Sequence, residues 1–153
     1  MQRKGAAMAH VFDVAAYILK DAGPMTAMKL QKLVYYSQAW SLVWDEEPLF
    51  PERIEAWANG PVVPDLYRWH RGKFLITNPP ENGDPERLAE EQRETIDAVL
   101  HFYGDKSSQW LVDLTHGEKP WREARGNLAP GDRGNNEITP AAMAEYYSSL
   151  EDG

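Results

Sequence analysis

The spacing of hydrophobic residues along the chain predicts a series of amphipathic helices. The first is predicted over residues 9–21 and ends before Gly23-Pro24, a pair that stops helices. The second begins after Thr26, a residue type that favours the N-cap position. Its segment "KLQKLVYYSQAW", residues 29–40, is apolar on nearly all sides. Because such a helix is usually central and buried, we expect most of these side chains to lie in the core.

The middle of the chain carries a different pattern. In "IEAWANG", residues 54–60, small or aliphatic residues alternate with polar or aromatic ones, which predicts a short strand. Gly60-Pro61 is expected to end it. Pro64 suits the first turn of a short helix that runs to about His70. The next segment, residues 72–84, is rich in Asn, Pro and Gly and is predicted to be a loop.

Three more helices are predicted in the C-terminal half. Asp84-Pro85 is expected to open a long helix that ends at Gly104. Ser107 or Ser108 would cap a shorter helix that stops at Gly117. Thr139-Pro140 would open the last helix. We therefore predict a mainly α, single compact helical domain over residues 1–153, with one minor pair of short strands.

Composition narrows the classes of function. The chain has a net charge of −8 and a pI near 5.0, a balance that opposes binding to a phosphate backbone and would steer a basic partner. We therefore do not expect a nucleic-acid ligand. No apolar run is long enough to span a membrane, and the absence of cysteine fits a cytoplasmic protein.

Candidates for chemistry are few. The sequence has no glycine-rich phosphate loop and no paired histidines at metal-binding spacing, so we expect no metal site, no cofactor and no catalytic set. One exception stays open. Glu55 on the predicted strand and His116 at a helix end could form an acid–base pair if the fold brings them together. Alternatively, each of them satisfies buried polar groups.

The stretch "YRWHRGKF", residues 67–74, alternates basic and aromatic side chains. This composition can stack bases, but it is also typical of protein–protein hot spots, and the acidic charge of the chain favours the second interpretation. Trp69 is predicted to lie on the flank of its helix, where either a partner or the 72–84 loop would cover it. The predicted partner-binding residues are Arg68, Trp69, Arg71 and Lys73.

Three separate motifs resemble the Panacea domain, the SocA-like antitoxin family that includes phage-associated GepA-like proteins. Together the similarity extends from about Ala9 to Leu150. The first motif comprises Lys29, Leu30, Gln31, Lys32, Leu33, Tyr35 and Tyr36, with Trp40 one turn beyond. The second comprises Glu55, Ala56, Trp57, Gly60, Pro61, Val62 and Tyr67. The third comprises Thr115, His116, Pro120 and Trp121.

The resemblance implies a bacterial or phage antitoxin that neutralises a cognate toxin protein by direct binding. One SocA-like member instead hands its toxin to an ATP-dependent protease, so a protease adaptor is the alternative. An enzyme that uses Glu55 and His116 is a third interpretation. We interpret the family motif residues as mainly structural, and Gly60-Pro61 as a required bend of the backbone.

Overall fold

The computed structural model describes residues 7–152; the two ends of the predicted domain, residues 1–6 and 153, lie outside this range. The first helix, α1, spans Val11–Ala22, and Gly23 follows it with φ +84°. The second, α2, spans Ala27–Trp44, and the Thr26 hydroxyl accepts a 3.1 Å hydrogen bond from the Lys29 amide, as expected of an N-cap. Both helices are confirmed close to their predicted bounds.

The strand component is larger than the predicted pair. In the described part of the chain, β1 (Met25–Thr26) pairs with β4 (Leu75–Ile76), and β2 (Ile54–Trp57) is flanked by β3 (Gly60–Val62) and β5 (Glu137–Ile138). All pairings are antiparallel. The two-residue strands were missed because they are too short to show a sequence period.

Gly60-Pro61 does not end the β-structure, contrary to our expectation. The chain reverses at Ala58-Asn59 and returns as β3, so that Trp57 pairs with Gly60 and Ala56 with Pro61. Proline is tolerated here because β3 lies at an edge of the three-stranded sheet, where one side of the strand donates no ladder hydrogen bonds. The next helix, α3, spans Pro64–His70 and is confirmed.

The predicted long helix from Asp84 to Gly104 is two elements. Asp84 caps a single 3-10 turn, Pro85–Arg87, and α4 spans Glu90–Tyr103. Leu88 separates them because it is extended and buried, and Gln92 restarts the helix by accepting a 2.8 Å hydrogen bond from the Ala89 amide. The chain therefore has two helix starts, one capped by Asp84 and one at Ala89, and the buried, extended Leu88 separates them.

Three helices complete the chain. α5 spans Ser108–His116 with Ser107 as its N-cap, and α7 spans Pro140–Asp152. The sequence pattern did not lead us to α6, Lys119–Arg125, which has a proline in its first turn and Gly126 with φ +58° after its end. Those two signals would have identified it.

The fold is organised around α2. Helices α1, α4, α5 and α7 and strand β3 all pack against it. Most of its side chains are buried, including Leu30, Leu33, Tyr35 and Tyr36. The mainly α class and the central position of α2 are confirmed.

Trp40→Ala is expected to lower the free energy of unfolding by about 3–5 kcal/mol. Trp40 is 7% exposed, its indole N–H donates a 3.0 Å hydrogen bond to the Tyr103 hydroxyl, and its ring stacks on Trp44. The matched control is Trp110→Ala, because Trp110 is 45% exposed. The control should lower the free energy of unfolding by about 1 kcal/mol or less, the size of an exposed cation–π contact such as the one between Lys106 and Trp110. Urea denaturation followed by circular dichroism measures both, and equal losses would contradict the central position of Trp40.

Candidate functional site

The family motifs in α2 and in the hairpin contact each other directly. The Gln31 carboxamide oxygen accepts a 2.9 Å hydrogen bond from the Val63 amide, and its nitrogen donates to the Val63 carbonyl at 3.3 Å. The Lys32 ammonium group donates to the Pro61 carbonyl at 3.2 Å. Side chains of α2 therefore satisfy the outer backbone groups of the hairpin edge, as a further strand would.

His70 joins this arrangement from α3. The Val63 amide can only donate, so the Gln31 oxygen must face it and the Gln31 nitrogen must face His70. His70 Nε2, 2.9 Å from that nitrogen, is therefore an unprotonated acceptor. Burial lowers the pKa of His70, which is consistent with the neutral ring.

Gly60 is required at its position for two reasons. Its φ of +117° lies in a region that L side chains rarely adopt. In addition, a Cβ atom there would lie 2.5 Å from Lys32 Cε and 3.0 Å from the Thr115 hydroxyl. The glycine of the second motif thus makes room for the lysine of the first.

Lys32 is the most perturbed basic group described. It is 1% exposed, and burial lowers its pKa to about 7. Within the described chain no carboxylate forms an ion pair with it, and its hydrogen-bond partner is the Pro61 carbonyl. Burial without an ionic partner therefore favours the neutral form of this amine.

A groove of about 1100 Å³ opens beside these residues. Its walls are the first half of α2, the β2–β3 hairpin, the C-terminal end of α3 with residues 71–74, and the 133–135 loop. Several family motif residues line it, namely Gln31, Lys32, Glu55, Trp57, Val62 and Tyr67.

The four predicted partner-binding residues differ in exposure and in whether they line the groove. Arg71 and Lys73 are exposed and line the groove. Arg68 is exposed, lies outside the groove lining and forms an ion pair with Asp65. Trp69 is half-buried: it packs on the core near Phe12, and Lys73 Nζ lies 5.7 Å from its ring centre.

Sequence reasoning missed part of the groove wall. Phe74 is 81% exposed and lines the groove next to Lys73. It belongs to the aromatic–basic stretch but was not among the predicted partner-binding residues. Met28 and Arg133 also line the groove. Arg133 lies in "GDRG", whose composition predicts only a turn, and no local pattern places that loop opposite α3.

Glu55 and His116 have separate partners. The Glu55 carboxylate accepts a 2.9 Å hydrogen bond from the Trp57 indole and pairs with Arg53 at 3.0 Å. His116 stacks on Trp121 at 4.0 Å, and its pKa is lowered by burial first of all. Neither hydrogen bonds nor ion pairs join Glu55 to His116 among the described residues, so the acid–base alternative gains no geometric support.

The motif tyrosines belong to a second buried cluster. Tyr36 and Tyr147 each donate a 2.7 Å hydrogen bond to Glu118 Oε1, and Tyr35 lies 3.0 Å from the Tyr147 hydroxyl. Burial raises the pKa of Glu118, and the two hydroxyl donors partly oppose that rise. This cluster ties α2 to α6 and α7.

Two features are absent from the part of the chain that the structure describes. No group of three or more His, Cys, Asp or Glu side chains between residues 7 and 151 is arranged to hold a metal ion. In the same part of the chain, no helix has the length and apolarity needed to cross a membrane.

Comparison with known proteins identifies the family. The family described as antitoxin SocA-like, Panacea domain, matches residues 30–122, and the chain therefore belongs to it. The chain is 30% identical over 117 residues to antitoxin SocA of Caulobacter vibrioides (strain NA1000 / CB15N). That alignment covers 64% of this chain and 58% of the relative, so the chain spans less than two thirds of the relative's length. No solved structure matches. The resemblance seen in the three motifs is confirmed.

Gly60→Ala is expected to destabilise the fold more than a substitution at a matched glycine. Gly131 also has a positive φ, +88°, but nothing lies within 4 Å of the position that an added methyl group would take, so Gly131→Ala reports backbone strain alone. Crowding against Lys32 should add about 1–3 kcal/mol at Gly60. Equal losses in urea denaturation would show that Lys32 moves aside freely.

Lys32→Met is expected to remove a pH dependence of stability. The folded pKa is about 7 and the unfolded value 10.5, so the unfolded chain binds more protons between them and stability rises with pH in that window. From pH 7 to 9 the wild-type free energy of unfolding should rise relative to Lys32→Met by up to about 1.4 kcal/mol per pH unit. Lys20→Met, at an exposed lysine, is the control and should follow the wild type. Parallel wild-type and Lys32→Met curves would contradict the lowered pKa.

Proposed function

We propose that this protein is an antitoxin that neutralises a cognate toxin by direct protein–protein binding in the cytoplasm, as one domain over residues 1–153. The observation that carries the proposal is membership of the SocA-like antitoxin family over residues 30–122. The proposed activity needs a binding surface, with no cofactor and no catalysis by this chain. The separate engagement of Glu55 and His116 agrees with that.

The groove face supports a partner surface. Phe74 is 81% exposed and Met28 37% exposed, and both line the groove next to Arg71 and Lys73. Leu75, 54% exposed, follows directly in the chain. A cluster of apolar side chains left in water has a free-energy cost that a partner removes, and aromatic and arginine side chains are enriched at interface hot spots.

The proposed toxin-binding surface includes all four predicted partner-binding residues, but their roles differ. Arg71 and Lys73 contact the toxin, together with Phe74. Trp69 supports Lys73 from below, because its ring is packed on the core on one side and meets the ammonium group on the other. Arg68, already paired with Asp65, contributes at the periphery.

A protease adaptor is the second candidate. This activity would need a second partner surface, and the structure has exposed apolar side chains away from the groove. Phe102, 67% exposed on α4, and Trp110, 45% exposed on α5, supply exposed apolar area outside the groove lining. In this candidate the groove holds the toxin and the α4–α5 surface meets an ATP-dependent protease.

The test uses the product of the neighbouring gene as the toxin. Both proteins are produced in cells, and growth and toxin half-life are measured with and without the antitoxin. Rescue with an unchanged toxin half-life and a stable purified complex is the expected result. Rescue with a shortened half-life that depends on an ATP-dependent protease would establish the adaptor instead. Lack of both rescue and binding would contradict the antitoxin proposal.

Phe74→Ala should weaken toxin binding by roughly 2 kcal/mol, about 30-fold in Kd, without lowering the melting temperature. The reason is that Phe74 is mostly in water in the free protein and would be covered in the complex. Phe102→Ala is the matched control, because it removes the same exposed ring from a surface outside the groove. Titration calorimetry measures both, and the prediction fails if the two variants bind the toxin equally well.

A further inference from the structure

We propose that the groove beside Lys32 takes an acidic peptide segment in which carboxylates flank an apolar side chain. Its source in the cell rests on the proposed function, since the segment would be an exposed loop or terminus of the toxin. The chemistry of the occupant does not depend on that source. It follows from the charges and the side chains that line the groove.

The charge of the groove is opposite to that of the protein. Its lining holds four basic residues, Lys32, Arg71, Lys73 and Arg133, and one acidic residue, Glu55. The Glu55 carboxylate is already occupied by the Trp57 indole and by the Arg53 guanidinium group. The lining is therefore cationic in a chain whose net charge is −8.

The cations at the rim of the groove have no anionic partner. Within the described chain, no carboxylate forms an ion pair with Arg71, Lys73 or Arg133, whereas Arg68, one turn away, is paired with Asp65. Arginine binds carboxylates through a planar fork of N–H donors, and two arginines face the same groove. An incoming carboxylate would meet donors that are not already committed.

The apolar part of the lining limits which anion fits. Met28 and Phe74 are exposed beside the cations. The half-buried rings of Trp57 and Tyr67 line the same groove and meet edge to face, with 4.9 Å between their ring centres. A free phosphate or another small ion would leave these surfaces in water. A volume of about 1100 Å³ lies at the upper end of the range for small-molecule pockets and has room for a peptide segment of several residues.

The buried lysine fits the same occupant. Lys32 lines the groove, donates to one carbonyl acceptor and has no counter-ion within the described chain, and burial lowers its pKa. A carboxylate in the groove would add a negative charge next to the wall to which Lys32 belongs. An acidic ligand would therefore favour the charged form of the Lys32 amine.

The net charge of −8 acts against an acidic partner only at long range. Screening reduces interactions between exposed charges beyond about 8 Å at physiological ionic strength. Inside the groove the rim cations are the nearest charges, and they determine which side chains are accepted. The peptide is therefore selected at contact, with a modest association rate.

The test begins with a library of random peptides displayed on phage, selected on the wild-type protein. The expected result is enrichment of Asp and Glu around an aromatic or aliphatic residue. A synthetic peptide of the selected sequence should then bind the Arg71→Glu/Lys73→Glu variant at least about 10-fold more weakly than the wild type. Replacing the peptide's acids by their amides should reduce wild-type binding by a similar factor.

The double variant Lys20→Glu/Lys106→Glu is the control for Arg71→Glu/Lys73→Glu, and Lys20→Glu is the control for a single substitution. These lysines are not groove-lining residues, and each control matches the charge change of its counterpart. They should bind the acidic peptide like the wild type. Circular dichroism and melting temperatures test whether each variant is folded. If Arg71→Glu/Lys73→Glu is not folded, Arg133→Glu provides a second test from another part of the groove wall. Losses equal to those of the controls would overturn the proposal.

The other outcomes also decide. Neutral or basic selected peptides, or no selection at all, would overturn the proposal. A single-stranded oligonucleotide that displaces the peptide at lower concentration would make the groove a nucleic-acid site and likewise overturn it. If the acidic peptide binds the groove but does not compete with the neighbouring gene's product, the ligand class stands and the proposed toxin contact fails.

Discussion

The structure depends on how α2 holds the β2–β3 hairpin. Gln31 and Lys32 are buried polar residues on a helix, and burying them unpaired would cost several kcal/mol. Their hydrogen bonds to Pro61 and Val63 offset that cost and satisfy the outer backbone groups of β3. Gly60 permits the close approach because it has no Cβ. Fixing the hairpin in this way places α3 directly after it, and α3 then presents the groove wall.

The two halves of the molecule are joined at a second buried polar site. Glu118, at the start of α6, accepts hydrogen bonds from Tyr36 of α2 and Tyr147 of α7. Within one helix, α2 therefore holds the hairpin through its first turns and the C-terminal helices through its middle. Both polar sites are buried, so each specifies one arrangement of neighbours more sharply than hydrophobic packing alone.

This arrangement separates the residues that build the frame from the exposed residues that we propose to contact a partner. Gln31, Lys32 and Gly60 are buried or confined, and we expect substitutions there to destabilise the fold. Arg71, Lys73 and Phe74 stand in solvent at the groove rim, where substitutions have little effect on stability.

The sequence by itself determined the mainly α class, the bounds of α1, α2, α3, α5 and α7, and the family, because caps, stops and helical spacing are local signals. It missed the two-residue strands and misjudged Gly60-Pro61, since strand pairing depends on residues far apart in the chain. It identified Arg71 and Lys73 as candidates but not Arg133, which reaches the groove only because β5 returns the chain to β2. The lowered pKa of Lys32 was likewise decided by the tertiary structure, because burial without a counter-ion is a property of the packed core rather than of any sequence pattern.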